Sequence, residues 1–286
     1  MTIAEAIRTA VDMVARTGIS NARLDAELLL SHALNKNRAW LITHSGDLLD
    51  EDQSRRFQAS VSRRVKREPV QYILGTQEFR GLEFAVTPDV LIPRPETELV
   101  VESTLHAAAG NPSPLILDLC TGSGCIAVSL AKEVPAARVF AADMSARALA
   151  VARENARRHG VSDHIRFLEG DLFGPLEELD IKERVDIIAA NPPYIPSSDL
   201  PVLQPEVRDY EPVMALIAGP GGTEIHRRII ETAPDFLKKG GALIMEMGLG
   251  QADRLCRLVE GAGAYTAPEI LKDLAGIERV IVAHRR

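Results

Sequence analysis

The chain has 286 residues, of which 46% are hydrophobic and 26% charged, a balance that supports a buried core in one large domain or in a large domain with a small companion. Its net charge of −7 disfavours a non-specific nucleic-acid binder, and no apolar run approaches the roughly 18 residues of a membrane span. The opening MTIAEAIRTAVDMV has no continuous apolar region of the secretory kind, Cys120, Cys125 and Cys256 form no CxxC pair, and the histidines lack metal-site spacing, so a reduced, metal-free, cytoplasmic protein is expected.

The first 70 residues have helical periodicity throughout. Ile3, Ile7, Ala10, Val11 and Val14 mark one face of a helix that Gly18 stops. Asn21 is a plausible N-cap for a second helix, with Leu24, Leu28 and Leu29 on its apolar side. A third surrounds Trp40 and Leu41. The fourth, from about 52 to 68, carries Phe57, Val61 and Val65 at four-residue spacing. Arg55, Arg56, Arg63, Arg64, Lys66 and Arg67 cover its other side, read as a solvated face or, more sharply, as a docking patch for an acidic partner.

Between residues 77 and 92 the pattern changes to short alternating stretches, FRGLEFAV and VLI, which read as a β-hairpin linker. The following PRPETELVVESTLHAAAG is a helix with Pro95 in its first turn and Gly110 at its stop. Arg94, between two prolines, is a candidate binder of a carboxylate at the site or the partner of a nearby glutamate.

From residue 115 strands alternate with helices: 115–119, 138–142, 165–169, 185–190, 242–247, 265–270 and 279–284. The last two, joined by a short charged loop, suggest an antiparallel end. The expected fold is α/β, a doubly wound, Rossmann-like, seven-stranded and mostly parallel sheet with a small all-helical N-terminal domain and a hairpin connector. The expected division is 1–70 helical, 71–92 linker and 93–286 sheet domain.

Two motifs carry chemistry. After the first sheet strand comes DLCTGSGCIA, where Gly122 and Gly124 let the backbone approach a ligand and the next helix begins. Asp118 precedes the loop. Asp143 ends the second strand where a carboxylate can bind both ribose hydroxyls, and Asp171 ends the third near an adenine amine. This indicates an adenosine cofactor without saying which, since a dinucleotide fingerprint also fits. The fourth strand runs into NPPY, residues 191–194. The Oδ1 of Asn191 and the carbonyl of Pro192 can each accept one N–H of a planar –NH2 group. Pro193 holds Pro192 extended, and Tyr194 offers a flat face. Orientation and dipoles placed for developing positive charge supply the catalysis.

D-x-x-x-G-x-G followed by NPPY resembles the S-adenosylmethionine-dependent methyltransferases that modify planar amino groups. The HemK-like protein glutamine N5-methyltransferases match over nearly the whole chain, in QYILGTQEFRGLEF (71–84), LIPRPETELVVE (91–102), LDLCTGSGCIAVSLA (117–131), NPPYIP (191–196) and VRDYEPVMAL (207–216). LIPRPETE is closer to the release factor branch than to the ribosomal-protein branch. The resemblance implies methylation of the glutamine in the Gly-Gly-Gln motif of class I peptide chain release factors, with S-adenosylhomocysteine as product and no metal. It carries cofactor contacts onto Cys120, Thr121, Gly122, Ser123, Gly124, Asp143 and Leu172, with Asp118, Asp171 and Asn191 as further cofactor-binding candidates, and the amide clamp onto Asn191, Pro192, Pro193 and Tyr194. It implies a monomer with a protein substrate, no membrane and no stable nucleic-acid binding. Two positions depart from the family: Cys120, usually glycine, which a thiol suits if φ is negative, and Leu172, often aromatic. The strongest rival is an N6-adenine methyltransferase, which needs a basic groove that a pI of about 5.6 does not suggest. A non-catalytic cofactor sensor or a dinucleotide oxidoreductase is the rival from another class.

Overall fold

Thr2 and Glu5 cap each other's backbone N–H groups, and this capping box starts the first helix of a computed structural model that describes residues 1–286. The helices α1 (Ile3–Ala15), α2 (Ala22–Leu34), α3 (Arg38–Thr43), α4 (Glu51–Val65) and α5 (Val70–Leu74) follow in order. Ile3, Ala6, Ala10 and Val14 of α1 bury against Leu29 and Leu30 of α2 and Phe57 and Val61 of α4 in one core. Leu24, expected on the apolar side of α2, is instead exposed.

The chain forms two compact units, residues 1–76 with 204–210, and residues 77–203 with 211–286. In the first unit the basic helix is largely neutralised from within. Arg55 and Arg56 pair with Asp52, and Arg63 pairs with Glu68. Arg64 does not belong to a solvated face: it is buried, its Nε 2.7 Å from Asp25 and its Nη1 3.0 Å from Glu206. Arg67 reaches the same Glu206 at 2.6 Å and donates to the Thr17 carbonyl. A buried charge persists only when paired and hydrogen-bonded, and here two arginines share two carboxylates.

The second unit opens with a hairpin, β1 (Thr76–Phe79) and β2 (Leu82–Ala85). Residues 90–92, read from sequence as a strand, are not one; Val90 and Ile92 are buried all the same. A short 3-10 turn, Pro95–Thr97, leads into α6 (Glu98–Ala108). The sheet is then built from β3 (Leu115–Leu119), α7 (Cys125–Glu133), β4 (Arg138–Asp143), α8 (Ala146–Arg158), β5 (Ile165–Glu169) and β6 (Val185–Ala190). Short pieces follow: β7 (Ile195–Pro196), α9 (Pro205–Arg208), α10 (Val213–Leu216) and β8 (Ile217–Gly219). The chain closes with α11 (Glu224–Thr232), β9 (Leu237–Glu246), α12 (Ala252–Gly261), β10 (Glu269–Lys272) and β11 (Glu278–His284).

The strand order is β10-β11-β9-β6-β3-β4-β5. The five strands from β9 to β5 are parallel, and β11 runs antiparallel to both β9 and β10. The fold is therefore α/β with a seven-stranded, mostly parallel sheet. The last hairpin strand begins at Glu269, later than expected; Tyr265 makes only an isolated bridge to Arg285. Apolar residues fill both faces of the central strands, as parallel strands covered on two sides require. No helix is long and apolar enough to cross a membrane.

Candidate active site

Register decides which residues meet. Leu119 of β3 pairs with Ala142 of β4 and with Ala190 of β6, and Ala190 pairs with Met245 of β9. One residue further along each parallel strand stand Cys120, Asp143, Asn191 and Glu246, in a row along the carboxyl edge. The order reverses between β3 and β6, and at such a switch point the edge opens into a crevice. A cavity of about 310 Å³ lies there, lined by Cys120, Thr121, Gly122, Ser123, Asp143, Asp171, Leu172, Asn191, Pro193 and Arg94 among others.

The loop after β3 is shaped by its backbone. Cys120, Gly122 and Gly124 all have positive φ, +59°, +54° and +80°. A Cβ at Gly124 would meet the Ala152 Cβ at 3.0 Å, so only glycine leaves room for α8 there. Cys120 does not have the negative φ that would suit a thiol; it is held left-handed, a conformation that strains a residue with a Cβ. Burial pushes its thiol far above the ordinary range, so it stays neutral. Leu172 is also left-handed, at φ +48°, and lines the cavity.

Asp118 is fully buried beneath this loop and does not line the cavity. Its Oδ2 accepts from Thr121 Oγ1 at 2.5 Å and from the Ala127 N–H at 3.2 Å, tying the loop to the start of α7. Its Oδ1 has no partner in the chain, and desolvation raises the carboxyl to about 7. Asp143 accepts from the backbone N–H groups of Gly122 and Ser145, both at 2.9 Å, yet burial still raises its pKa. Asp171 lies at the cavity's other end, where Arg228 of α11 donates to its Oδ2 at 2.6 Å.

The NPPY segment is organised by side chains instead. Asn191 Nδ2 donates to Thr97 Oγ1 at 3.0 Å. Thr97 in turn donates to Glu246 Oε2 at 2.6 Å, and the Tyr194 hydroxyl donates to Glu246 Oε1 at 3.3 Å. Asn191 Oδ1 makes no hydrogen bond within the chain, and no backbone N–H is bonded to the Pro192 carbonyl. Pro192 and Tyr194 do not line the cavity; Pro192 is buried, and the Tyr194 ring packs where a Cβ on Gly248 would come within 3.1 Å. Gln251 Nε2 holds the Tyr194 carbonyl at 2.8 Å. Arg94 lines the cavity but is ion-paired with the buried Glu211, which also accepts the Ile92 N–H. Its partner thus comes from VRDYEPVMAL, not from the glutamates beside it.

Four of these residues escaped the sequence reading. Glu246 gave a signal, a carboxylate at the end of the apolar strand ALIMEM, beside the NPPY strand. Thr97, inside PRPETE, gave none. Asn155 of α8 is buried and bonds both Ala85 at the end of β2 and the Ser123 carbonyl, joining hairpin to loop. Arg228 reads in sequence as one of several surface arginines.

The profile of the PrmC N-terminal domain matches residues 5–75, and that of the methyltransferase small domain matches residues 97–202. A protein of Geobacter sulfurreducens described as release factor glutamine methyltransferase is 46% identical over 94% of this chain and 91% of its own length. The chain belongs to the release factor glutamine methyltransferase family. A second member, from Moorella thermoacetica, is 42% identical over 100% of this chain and 99% of its own length. Among solved structures, the hMettl16 catalytic domain in complex with MAT2A 3′UTR hairpin 6 has a TM-score of 0.57, covering 84% of each chain at 16% identity. That likeness shows the fold alone. Membership in the family makes the chain a methyltransferase, and the crevice at the strand ends is its candidate active site.

Proposed function

We propose that this methyltransferase transfers a methyl group from S-adenosylmethionine to the side-chain amide nitrogen (N5) of the glutamine in the Gly-Gly-Gln motif of class I peptide chain release factors. The observation that carries this reading is Asn191: its Nδ2 is committed to Thr97, which leaves Oδ1 as an unpartnered acceptor on the cavity wall. An acceptor there suits a substrate that brings N–H groups.

The residues fit the cofactor. Cys120, Thr121, Gly122 and Ser123 line the cavity with the Asp143 carboxylate at the end of β4, Gly124 lets the loop pack closely on Ala152 of α8, and the buried Asp118 Oδ1 is orphaned beneath the loop. Thr121, Gly122, Ser123, Gly124 and the Cys120 backbone would hold its amino-acid end, Asp143 its ribose, and Asp171 with Leu172 its adenine. When bound, it supplies an electrophilic methyl group.

An amide nitrogen is a poor nucleophile because its lone pair is delocalised into the carbonyl. Asn191 Oδ1 and the Pro192 carbonyl each accept one of its N–H groups, which sets its plane and favours positive charge building on nitrogen. Pro193 forms part of the wall, and Tyr194, held behind it by Glu246 and Gln251, keeps the segment in place. The methylated nitrogen then loses one proton to solvent, so no strong base is needed. Arg94, already paired with Glu211, keeps the loop before α6 against the cavity. We assign substrate recognition to residues 1–70, a linking role to 71–92 and methyl transfer to 93–286. The enzyme acts as a cytoplasmic monomer without a metal and without stable nucleic-acid binding.

The test is methyl transfer to a folded class I release factor, with fragment mass spectra locating the methyl. One methyl on the Gly-Gly-Gln glutamine, absent with a Gln→Asn release factor, is expected. Transfer to adenine in an oligonucleotide but not to the release factor would overturn the substrate.

A further inference from the structure

Nothing in an asparagine side chain says which end should face a substrate. Its oxygen and nitrogen have nearly the same shape, and only the surrounding hydrogen bonds distinguish them. For Asn191 the distinction is made by Thr97 beside it on the cavity wall and by Glu246 behind Thr97. A deprotonated Glu246 can only accept, and it takes the hydroxyl protons of both Thr97 and Tyr194. With its proton spent on Glu246, Thr97 Oγ1 can only accept from Asn191, and so it binds Nδ2. The chain of donors therefore runs one way, from Asn191 through Thr97 to Glu246.

Resting on the function proposed above, we propose that Thr97 and Glu246 are positioning residues that set the polarity of Asn191, so that its oxygen meets the substrate amide. Thr97 and Glu246 are each 2% exposed, so water does not compete for these bonds. The same carboxylate also anchors Tyr194, so one buried group holds both ends of NPPY.

The relay contains its own switch. Were Glu246 protonated, its O–H would donate to Thr97 Oγ1, and the Thr97 hydroxyl would then be available to donate to Asn191. The Asn191 amide would turn over, Oδ1 would face inward, and Nδ2 would meet the substrate's own N–H groups. The facing charges are few. Glu96 on the turn before α6 and Arg279 on β11 oppose one another, Cys125 on α7 is neutral with its thiol pushed up to about 12, and His226 on α11 holds only the Glu246 backbone carbonyl. Burial dominates, and it lifts the Glu246 carboxyl to about 7. Turnover then requires the deprotonated form and falls as the pH drops through that value.

The experiment compares wild type, Thr97→Val, Thr97→Ser and Glu246→Gln in release factor methylation, with kcat against pH and S-adenosylmethionine affinity by calorimetry. Thr97→Val, which keeps the shape and removes the hydroxyl, should lower kcat roughly 10- to 100-fold while cofactor affinity changes less than about threefold. Thr97→Ser should recover most of the rate. Glu246→Gln should lower kcat and abolish the acid limb that wild type shows near pH 7. Thr97→Val with wild-type kcat, Thr97→Ser as slow as Thr97→Val, or an unchanged acid limb in Glu246→Gln would each overturn the relay. A wild-type enzyme that leaves the release factor unmethylated would sink the function instead, and the relay with it.

Discussion

The cofactor loop and the NPPY segment sit on neighbouring strand ends, yet they are built by opposite means. The loop after β3 is a backbone device: three left-handed residues within five positions, with Asp118 pinning the turn from below. The NPPY segment after β6 has no positive φ and takes its order from a buried side-chain relay through Thr97 and Glu246. The difference follows from what each must present. A large cofactor needs close approach and many N–H groups, which backbone supplies when side chains are absent. A small amide needs acceptors of the correct polarity at fixed points, which a side-chain network supplies at the cost of burying a carboxylate.

Substitutions should therefore separate into two classes, affinity at the loop and turnover at the relay. The largest expected effect is Asn191→Ala, which should reduce kcat about 100- to 1,000-fold, with S-adenosylmethionine affinity within about threefold of wild type. Calorimetry beside the methylation assay checks it; an equal loss of cofactor affinity would merge the two classes.

Next comes the cost of the buried carboxylate. Burial raises Glu246 from 4.5 to about 7, so its stabilising contribution is complete below pH 4.5 and is lost as pH rises through about 7. Asp118, raised from 3.8 to about 7, acts in the same direction. His226 acts oppositely: lowered from 6.5 to about 4, it contributes stability above 6.5 that is lost as pH falls through about 4. Burial of Asp143 and Glu211 raises their carboxyls in the same direction, and Glu246→Gln removes one of these falling contributions. Urea unfolding should then show a decline in stability between about pH 5 and about pH 7.5 that is shallower than wild type by on the order of 2 kcal/mol. An identical decline in both proteins would mean that Glu246 does not titrate in this range.

At the loop, Gly124→Ala should weaken S-adenosylmethionine binding about tenfold, because the new Cβ crowds Ala152 at a φ of +80°. Unaltered affinity would show that the loop adapts. The smallest effect is expected from Cys120→Gly. Relief of the left-handed strain, less the extra freedom glycine has when unfolded, should stabilise the protein by about 0.5–1 kcal/mol. A lower unfolding midpoint would mean that the thiol's packing outweighs the strain.

Much of the site could be read in the sequence because its motifs lie at strand ends. Gly122, Gly124 and Asp143 follow apolar runs, and NPPY interrupts VDIIAA so abruptly that a surface turn does not account for it. The relay could not be read. Thr97 and Glu246 are 149 positions apart, and a threonine in PETE looks like helix-start chemistry until the fold brings it against the end of β9. Arg64 is similar: helical spacing puts it among exposed arginines, and only Asp25 and the distant Glu206 make its burial tolerable.

By itself, then, the sequence determined the alternation of strands and helices, the all-helical first 70 residues, the family resemblance and the two motifs, because periodicity and turn chemistry are local. The tertiary structure decided the strand order that puts those motifs in one row, the left-handed backbone at Cys120, the pairing of Arg94 with Glu211 and the polarity of Asn191. Each of these depends on a partner far along the chain or on space left by a neighbouring element. A hydrogen bond or a steric limit of that kind exists only after the fold has formed.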